Sequence, residues 1–285
     1  MNNYAFFDIH SHLHDKAFDK DRDEVIATMK AKGVGTITVG TGLAESRNAV
    51  ALADIHDNIF ATVGLHPCDN VLEEFDADLF EKLAKHAKVV AIGECGLDYH
   101  YIETFFDKDA ERITGEKGLH WNKDAEKERQ KSIFKKQIEL AVKLDLPLML
   151  HGRPTKGTMD AYEDMLHLLE HAHKKYGEKL RGNAHFFVGT IDVAERFIEI
   201  GFTMSFSGVI TFAHDYDDVV RFPPLYSIFG ETDSPYATPA PFRGKRNDPT
   251  MVQEVVARIA VLRLEEFEEV RMEMIENAKR MFKVS

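Results

Sequence analysis

The sequence predicts an α/β protein, a single (β/α)8 TIM-type barrel over residues 1–285 with a cluster of chemistry-bearing residues at the C-terminal ends of its strands. Three observations predict it. Short apolar runs alternate with longer amphipathic stretches. Eight such runs can be counted, each trailed by a helix candidate. Residue types that ligate metals sit just after several of the runs: His10, His12, Glu94, His151, His185 and Asp233. A doubly wound sheet shares the alternation, but a closed ring of parallel strands points its C-terminal ends at one mouth, so the scattered ligand types favour the barrel. The length of 285 residues suits a barrel of about 250 residues with modest insertions.

The first strand is expected at 4–9, followed by a helix over 21–32 with Val25, Ile26 and Met29 near helical spacing and Gly33 as its stop. Next come a strand at 36–39, a helix at 48–56, a strand at 59–63, a helix at 72–86 and a strand at 89–92. A long helix over 126–144 carries Ile133, Phe134, Gln137, Ile138 and Ala141 on one face. The fifth strand is expected at 147–150, its helix at 159–176, the sixth strand at 180–185 and its helix at 191–200. A strand at 202–205, a short helix at 219–222 and a strand at 225–230 complete the ring. Two helices, 253–262 and 264–282, close the chain, with apolar residues three to four apart. Between the fourth strand and its helix, 101–127 is long for a βα loop. It holds Phe105, Phe106 and the only tryptophan, Trp121, among many charges. It reads as an insertion, either a lid over the mouth or a surface excursion.

The chemistry concentrates where strands end. In Asp8-Ile9-His10-Ser11-His12, positions i and i+2 of a strand point the same way, ~7 Å apart at their Cα atoms, so His10 and His12 can reach one ion. Imidazole suits zinc, iron or manganese. Asp8 shares that face and is expected to orient a ligand from behind. His14 extends the alternation but falls where loop is expected. Glu94, in Gly93-Glu94-Cys95-Gly96, is costly to bury unless paired or metal-bound, and its two oxygens can serve two ions. Asp98 is expected to hold a water or a neighbouring side chain. His151 offers a ligand, and Arg153 a bidentate fork for a phosphate oxygen. His185 reads as His151 does. Asp233 could ligate and accept a proton from an attacking water. Behind it, Arg243-Gly244-Lys245-Arg246-Asn247 is the densest basic cluster near the mouth. His66, in Gly64-Leu65-His66-Pro67, suggests substrate contact more than ligation. Cys68 and Cys95 flank site motifs and could be soft ligands, but they are read as buried or neighbouring thiols, because the histidines and carboxylates already make a complete ligand set.

Bulk properties narrow the class. A hydrophobic share of 44% and a charged share of 29% are those of a folded protein. The formal net charge of −12 argues against a broad basic surface for duplex DNA, while leaving room for a nucleic acid held by a local basic patch or by metals. Two cysteines are too few for a disulfide framework, and neither a signal peptide nor a long apolar span is read, so a reduced cytoplasmic setting without a membrane is expected. No obligate protein partner is indicated.

Taken together, the motifs resemble one family, the TatD-type metal-dependent deoxyribonucleases. The matching stretches are Phe7-Asp8-Ile9-His10-Ser11-His12-Leu13, Gly64-Leu65-His66-Pro67, Gly93-Glu94-Cys95-Gly96-Leu97-Asp98-Tyr99, His151-Gly152-Arg153 and Glu231-Thr232-Asp233-Ser234-Pro235-Tyr236. Arg243-Gly244-Lys245-Arg246-Asn247-Asp248-Pro249 and Asn277-Ala278-Lys279-Arg280-Met281-Phe282 extend the likeness to nearly the whole chain. The resemblance implies a TIM-type barrel with two divalent ions (magnesium, manganese, zinc or similar) and phosphodiester hydrolysis, 3′-to-5′ on single-stranded DNA. It implies His10, His12 and Asp233 on one ion, His151 and His185 on the other, and Glu94 bridging. Asp233 and Glu94 would be catalytic, with His66, Arg153, Arg243 and Lys245 toward substrate. Two departures bear on the pocket: His185-Phe186-Phe187-Val188-Gly189 keeps the family's histidine but changes its neighbours, and the 101–127 insertion is long. Two other readings are a hydrolase of another ester or amide on the same barrel, such as D-aminoacyl-tRNA, and a binding protein that kept its metals.

Overall fold

The computed structural model describes residues 4–69, 73–114 and 122–284. Its eight strands are β1 (Phe6–Ser11), β2 (Val34–Val39), β3 (Ile59–Val63), β4 (Val89–Asp98), β5 (Leu148–Arg153), β6 (Gly182–Ala184), β7 (Phe202–Phe206) and β8 (Ile228–Gly230). They form one parallel sheet in sequence order. Every residue of β2 and β3 is buried. Both faces are covered, which is why these strands read as apolar runs rather than as alternating patterns. The outer helices are α1 (Arg22–Ala31), α2 (Leu43–Asp54), α3 (Ala77–Ala84), α4 (Tyr99–Thr104), α5 (Phe106–Thr114), α6 (Lys123–Leu144), α7 (Asp160–Tyr176), α8 (Ile191–Glu199), α9 (Asp217–Arg221), α10 (Val252–Arg263) and α11 (Phe267–Phe282). No helix among the described residues is long and apolar enough to cross a membrane.

The ring closes where β1 meets the chain leaving β8. Asp233 N donates to His10 O at 2.9 Å and His12 N to Ser234 O at 2.7 Å, around a parallel bridge between Ser11 and Ser234. This seam sets His10, His12 and Asp233 beside one another. Asp8, fully buried, fastens it from within. Its Oδ1 accepts from Thr232 N at 2.9 Å and from His10 N at 3.2 Å. Its Oδ2 accepts from Thr232 Oγ1 at 2.7 Å and from Thr36 Oγ1 at 3.3 Å. Asp8, expected to orient a ligand from behind, reaches His10 through its backbone N–H and otherwise binds backbone and hydroxyl groups across the seam, so its bonds hold strands and none goes to an imidazole ring.

Other differences have local causes. The fourth strand runs on to Asp98 instead of ending at 92, past Gly93 and Gly96, whose φ values of +154° and +145° suit glycine. A Cβ on Gly96 would lie 2.1 Å from His151 O, so only glycine lets β4 approach β5 there. The last strand is shorter than expected because 225–227 turn as a 3-10 helix, with Ser227 N bonded to Pro224 O. The 101–127 insertion is helical over its described part. Asp98 caps α4 by accepting from Tyr101 N at 2.7 Å, and α4, in which Tyr101 and Ile102 are buried, packs against α6. No described residue of 101–127 lines the cavity in the barrel mouth. Trp121 lies outside the described residues.

Replacing Asp8 by alanine removes the side-chain acceptor of the buried Thr232 and His10 backbone N–H groups, at roughly 1–3 kcal/mol for each unpaired group. The expected outcome for Asp8→Ala is a loss of about 3 kcal/mol in the unfolding free energy of metal-free protein. Urea unfolding followed by circular dichroism measures it, and a loss under about 1 kcal/mol would show that closure does not depend on this carboxylate.

Candidate metal centre

Glu94 stands at the middle of the mouth, 3% exposed, with imidazoles on both sides. Its Oε1 lies 2.8 Å from His151 Nδ1, 2.8 Å from His185 Nε2 and 3.5 Å from His66 Nε2. Its Oε2 lies 3.4 Å from His10 Nε2 and 3.8 Å from His12 Nε2. Asp233 Oδ1 faces the second set, 3.8 Å from His10 Nε2 and 3.5 Å from His12 Nε2. His10 stacks on His185 with centroids 3.8 Å apart, so the two sets adjoin. The six residues expected from sequence as ligands thus converge from β1, β4, β5, the end of β6 and the end of β8.

The donors suit divalent ions. His10 Nε2 and His12 Nε2 are 3.4 Å apart. Two nitrogens bound tetrahedrally to one ion at about 2.0–2.1 Å would be separated by roughly 3.3–3.4 Å. His12 Nδ1 faces Val39 O at 2.9 Å, an atom that only accepts, so Nδ1 carries a proton and Nε2 is turned toward the carboxylates. His185 has a comparable support. Glu231, fully buried, sets Oε1 3.3 Å from His185 Nδ1 while accepting from Phe186 N at 2.7 Å and, through Oε2, from Ser205 Oγ at 2.6 Å. Carboxylate or carbonyl behind imidazole is the usual arrangement for ligating histidines.

Without a cation, protons on imidazole supply positive charge. Burial alone would lower the His12 pKa, but the hydrogen bond and charge of Asp233, with Glu94, raise it to about 9. Burial also acts against His151, and the carboxylates of Asp98 and Glu94 overcome it, again to about 9. His10 is pushed down to about 4, first by burial and then by the charge of His185. Burial would raise Glu94, yet the surrounding histidines, His185 first, hold its carboxyl well below the usual range. A cation bound here would replace those protons.

The remaining expected residues divide. His66, 7% exposed, lines the cavity with Nε2 toward Glu94 and Nδ1 2.9 Å from Asp69 Oδ1. Asp98 Oδ2 is 3.0 Å from His151 Nε2, which makes it the partner of a neighbouring side chain. Arg153 lines the cavity. Arg243 and Lys245 do not: Arg243 stacks on the Phe212 ring at 3.8 Å and Lys245 sits 5.6 Å from the Phe242 ring. Arg246, of the same cluster, is paired to Asp21 at 2.7 Å. His14 lines the cavity with Nδ1 2.8 Å from Thr38 Oγ1.

Sequence reasoning missed two glutamines on α6. Gln130 and Gln137, both fully buried, lie two turns apart on one face. Gln137 accepts from Leu65 N and donates to Leu65 O, each at 2.9 Å, which holds the segment carrying His66. Gln130 accepts from Asp98 N at 2.9 Å and donates to Asp98 O at 3.4 Å. An amide at an apolar position of an amphipathic helix was the available signal.

Comparison with known proteins agrees with this geometry. The model of a family described as TatD related DNase matches residues 7–283. The chain is 37% identical over 283 residues to a Bacillus subtilis protein described as uncharacterized metal-dependent hydrolase YabD, covering 98% of this chain and 99% of that one. It is 32% identical over 287 residues to the Escherichia coli protein described as uncharacterized metal-dependent hydrolase YcfH, covering 97% and 95%. The crystal structure of the Escherichia coli TatD homologue YjjV superposes with a TM-score of 0.81 at 27% identity, covering 99% of each chain. A TatD family hydrolase from Entamoeba histolytica gives a TM-score of 0.78 at 21% identity over 99% of each chain, a likeness of fold.

Changing Gln137 to leucine strands both Leu65 backbone groups in a dry interface. The expected loss is about 2–4 kcal/mol in unfolding free energy, from two unpaired backbone groups. Chemical denaturation tests it, and an unchanged midpoint would mean that the clamp contributes nothing.

Proposed function

Because the chain belongs to the TatD related DNase family of metal-dependent hydrolases, we propose that it is a divalent-metal-dependent phosphodiester hydrolase, a deoxyribonuclease degrading single-stranded DNA from the 3′ end. The observation that carries the reading is Glu94, whose two oxygens face two donor sets. In this reading His10, His12 and Asp233 would hold one ion, His151 and His185 would hold a second, and Glu94 would serve both.

Two bound divalent ions supply Lewis acidity and lower the pKa of bound water. The chain's own residues do the rest. Asp233, its side chain 15% exposed at the cavity, orients the attacking water and takes its proton on the carboxylate. Glu94 keeps the two sets in register. Arg153 is the one lysine or arginine lining the cavity among the described residues, and its fork stabilises charge growing on the phosphate oxygens. His66 presents Nε2 to the same space. Arg243 and Lys245, outside the cavity, offer charge to a strand that extends beyond it.

Three measurements test this. Exchanging both His10 and His12 for alanine abolishes metal-dependent cleavage of a 3′-labelled single strand. Arg153→Ala lowers turnover of that substrate about 100-fold, the scale for loss of one transition-state donor. Side-by-side assays then compare the strand with D-aminoacyl-tRNA and small esters. Hydrolysis of the latter two with none of the DNA would overturn the phosphodiester reading, and metal binding without any turnover would favour a binding protein.

A further inference from the structure

Beside the donor sets around Glu94, a second kind of site is assembled in the turn after β3. His66, Cys68 and Asp69 present one donor atom each, all within 4.8 Å of one another. His66 Nδ1 lies 2.9 Å from Asp69 Oδ1 and 3.5 Å from Cys68 Sγ. A fourth donor comes from the end of β4, where Asp98 Oδ2 is 3.7 Å from Cys68 Sγ. Bonds of about 2.3 Å to sulfur and 2.0–2.1 Å to nitrogen or oxygen, at a tetrahedral angle, set sulfur roughly 3.6 Å from each other donor. The 3.5 and 3.7 Å separations already match.

We propose that His66, Cys68, Asp69 and Asp98 form a third cation site, taking a borderline or soft divalent ion such as zinc through the Cys68 thiolate. The site lies beside the pair around Glu94, and it does not depend on which substrate the mouth accepts. Its chemistry differs from that of the pair: nitrogen, sulfur and two oxygens select zinc, cobalt or iron over magnesium. The second cysteine shows what a structural thiol looks like here. Cys95 Sγ is buried and, among the described residues, its hydrogen-bond partners are the carbonyls of Ile92 and Met149. Cys68 instead meets an imidazole and a carboxylate, and it lines the open cavity, so an ion can reach it. Asp98 also connects this site to the pair, since the same Oδ2 is 3.0 Å from His151 Nε2. On binding, the thiol proton leaves to solvent and the sulfur becomes the ligand.

The test is a titration of metal-stripped full-length protein with cobalt(II), read by near-ultraviolet thiolate-to-cobalt charge transfer and by metal analysis after gel filtration. Wild-type protein is expected to develop the band and to retain one equivalent more than Cys68→Ser, in which the band is lost. Cys95→Ser is expected to keep both. Asp69→Asn, a conservative change at a half-exposed side chain, keeps the thiol and is expected to weaken the band's midpoint at least 10-fold. Zinc, but not magnesium, is expected to slow alkylation of Cys68. No band at saturation, a band that survives Cys68→Ser, or equal stoichiometry in the two proteins overturns the proposal. These readouts report Cys68 and not catalysis, so failure of the nuclease reading would leave them unchanged, and nuclease activity without the band would sink this site alone.

Discussion

A carboxylate buried at the centre of a ring of strands is the constraint from which the rest of the mouth follows. Glu94 is closed off from water, and an ionised carboxyl in such a place is costly unless opposite charge or hydrogen bonds surround it. Here the compensation comes from side chains on separate strands: His10, His151 and His185 each reach one of its oxygens, with His12 and His66 a little further off. No single βα unit could supply this arrangement. β5 already pairs with β4, and curling of the sheet into a ring brings the ends of β1 and β6 to the same carboxylate, which is why the chemistry of the site and the topology of the fold stand or fall together.

Closure itself rests on polar groups in dry surroundings. Asp8 ties β1 to β2 and to the exit of β8, while Gln130 and Gln137 reach inward from α6 to backbone at Asp98 and Leu65. Glu231 does the same for the start of the Phe186 loop and for His185. Each satisfies groups that would otherwise be buried unpaired, and each fixes a segment carrying a cavity residue. The helices are therefore more than a coat around the barrel: α6 positions two of the loops from which the cavity is built.

The order of strands and helices was legible because the sheet is covered on both sides, so that strands are apolar and helices amphipathic. The six candidate ligands were legible for a related reason, since polar residues at the ends of apolar runs have few bland explanations when they recur. What was not legible depends on contacts distant in sequence. Asp8 looked like a ligand's partner by its spacing from His10, and it does bond His10 N, but its two shortest bonds go to Thr232, a neighbour only after the ring has closed. Gln137 looked like part of an apolar face because its amide partner, Leu65, lies far along the chain. Gly93 and Gly96 looked like the end of a strand, whereas they let β4 continue against β5. The basic run at 243–246 showed its charge but not its destinations: Arg243 lies on an aromatic ring and Arg246 on Asp21, not in the cavity.

Charge then decides what this mouth can accept. Among the described residues, six carboxylates line the cavity, those of Asp15, Glu45, Asp69, Glu94, Asp98 and Asp233, against the single guanidinium of Arg153. With neutral histidines that leaves a formal −5, a field that repels a phosphodiester as strongly as any other anion. Protonated imidazoles offset part of it in the cation-free protein, but an imidazole that carries two protons has no lone pair for a ligand bond. Two divalent ions, as proposed, would remove that conflict by letting the histidines stay neutral and bringing the formal sum to −1. A third, with the thiolate that would hold it, brings the sum to zero before substrate arrives. Under the proposed function, metal ions with Arg153, rather than a basic surface, would thus provide the attraction for an anionic substrate, in keeping with the acidic composition.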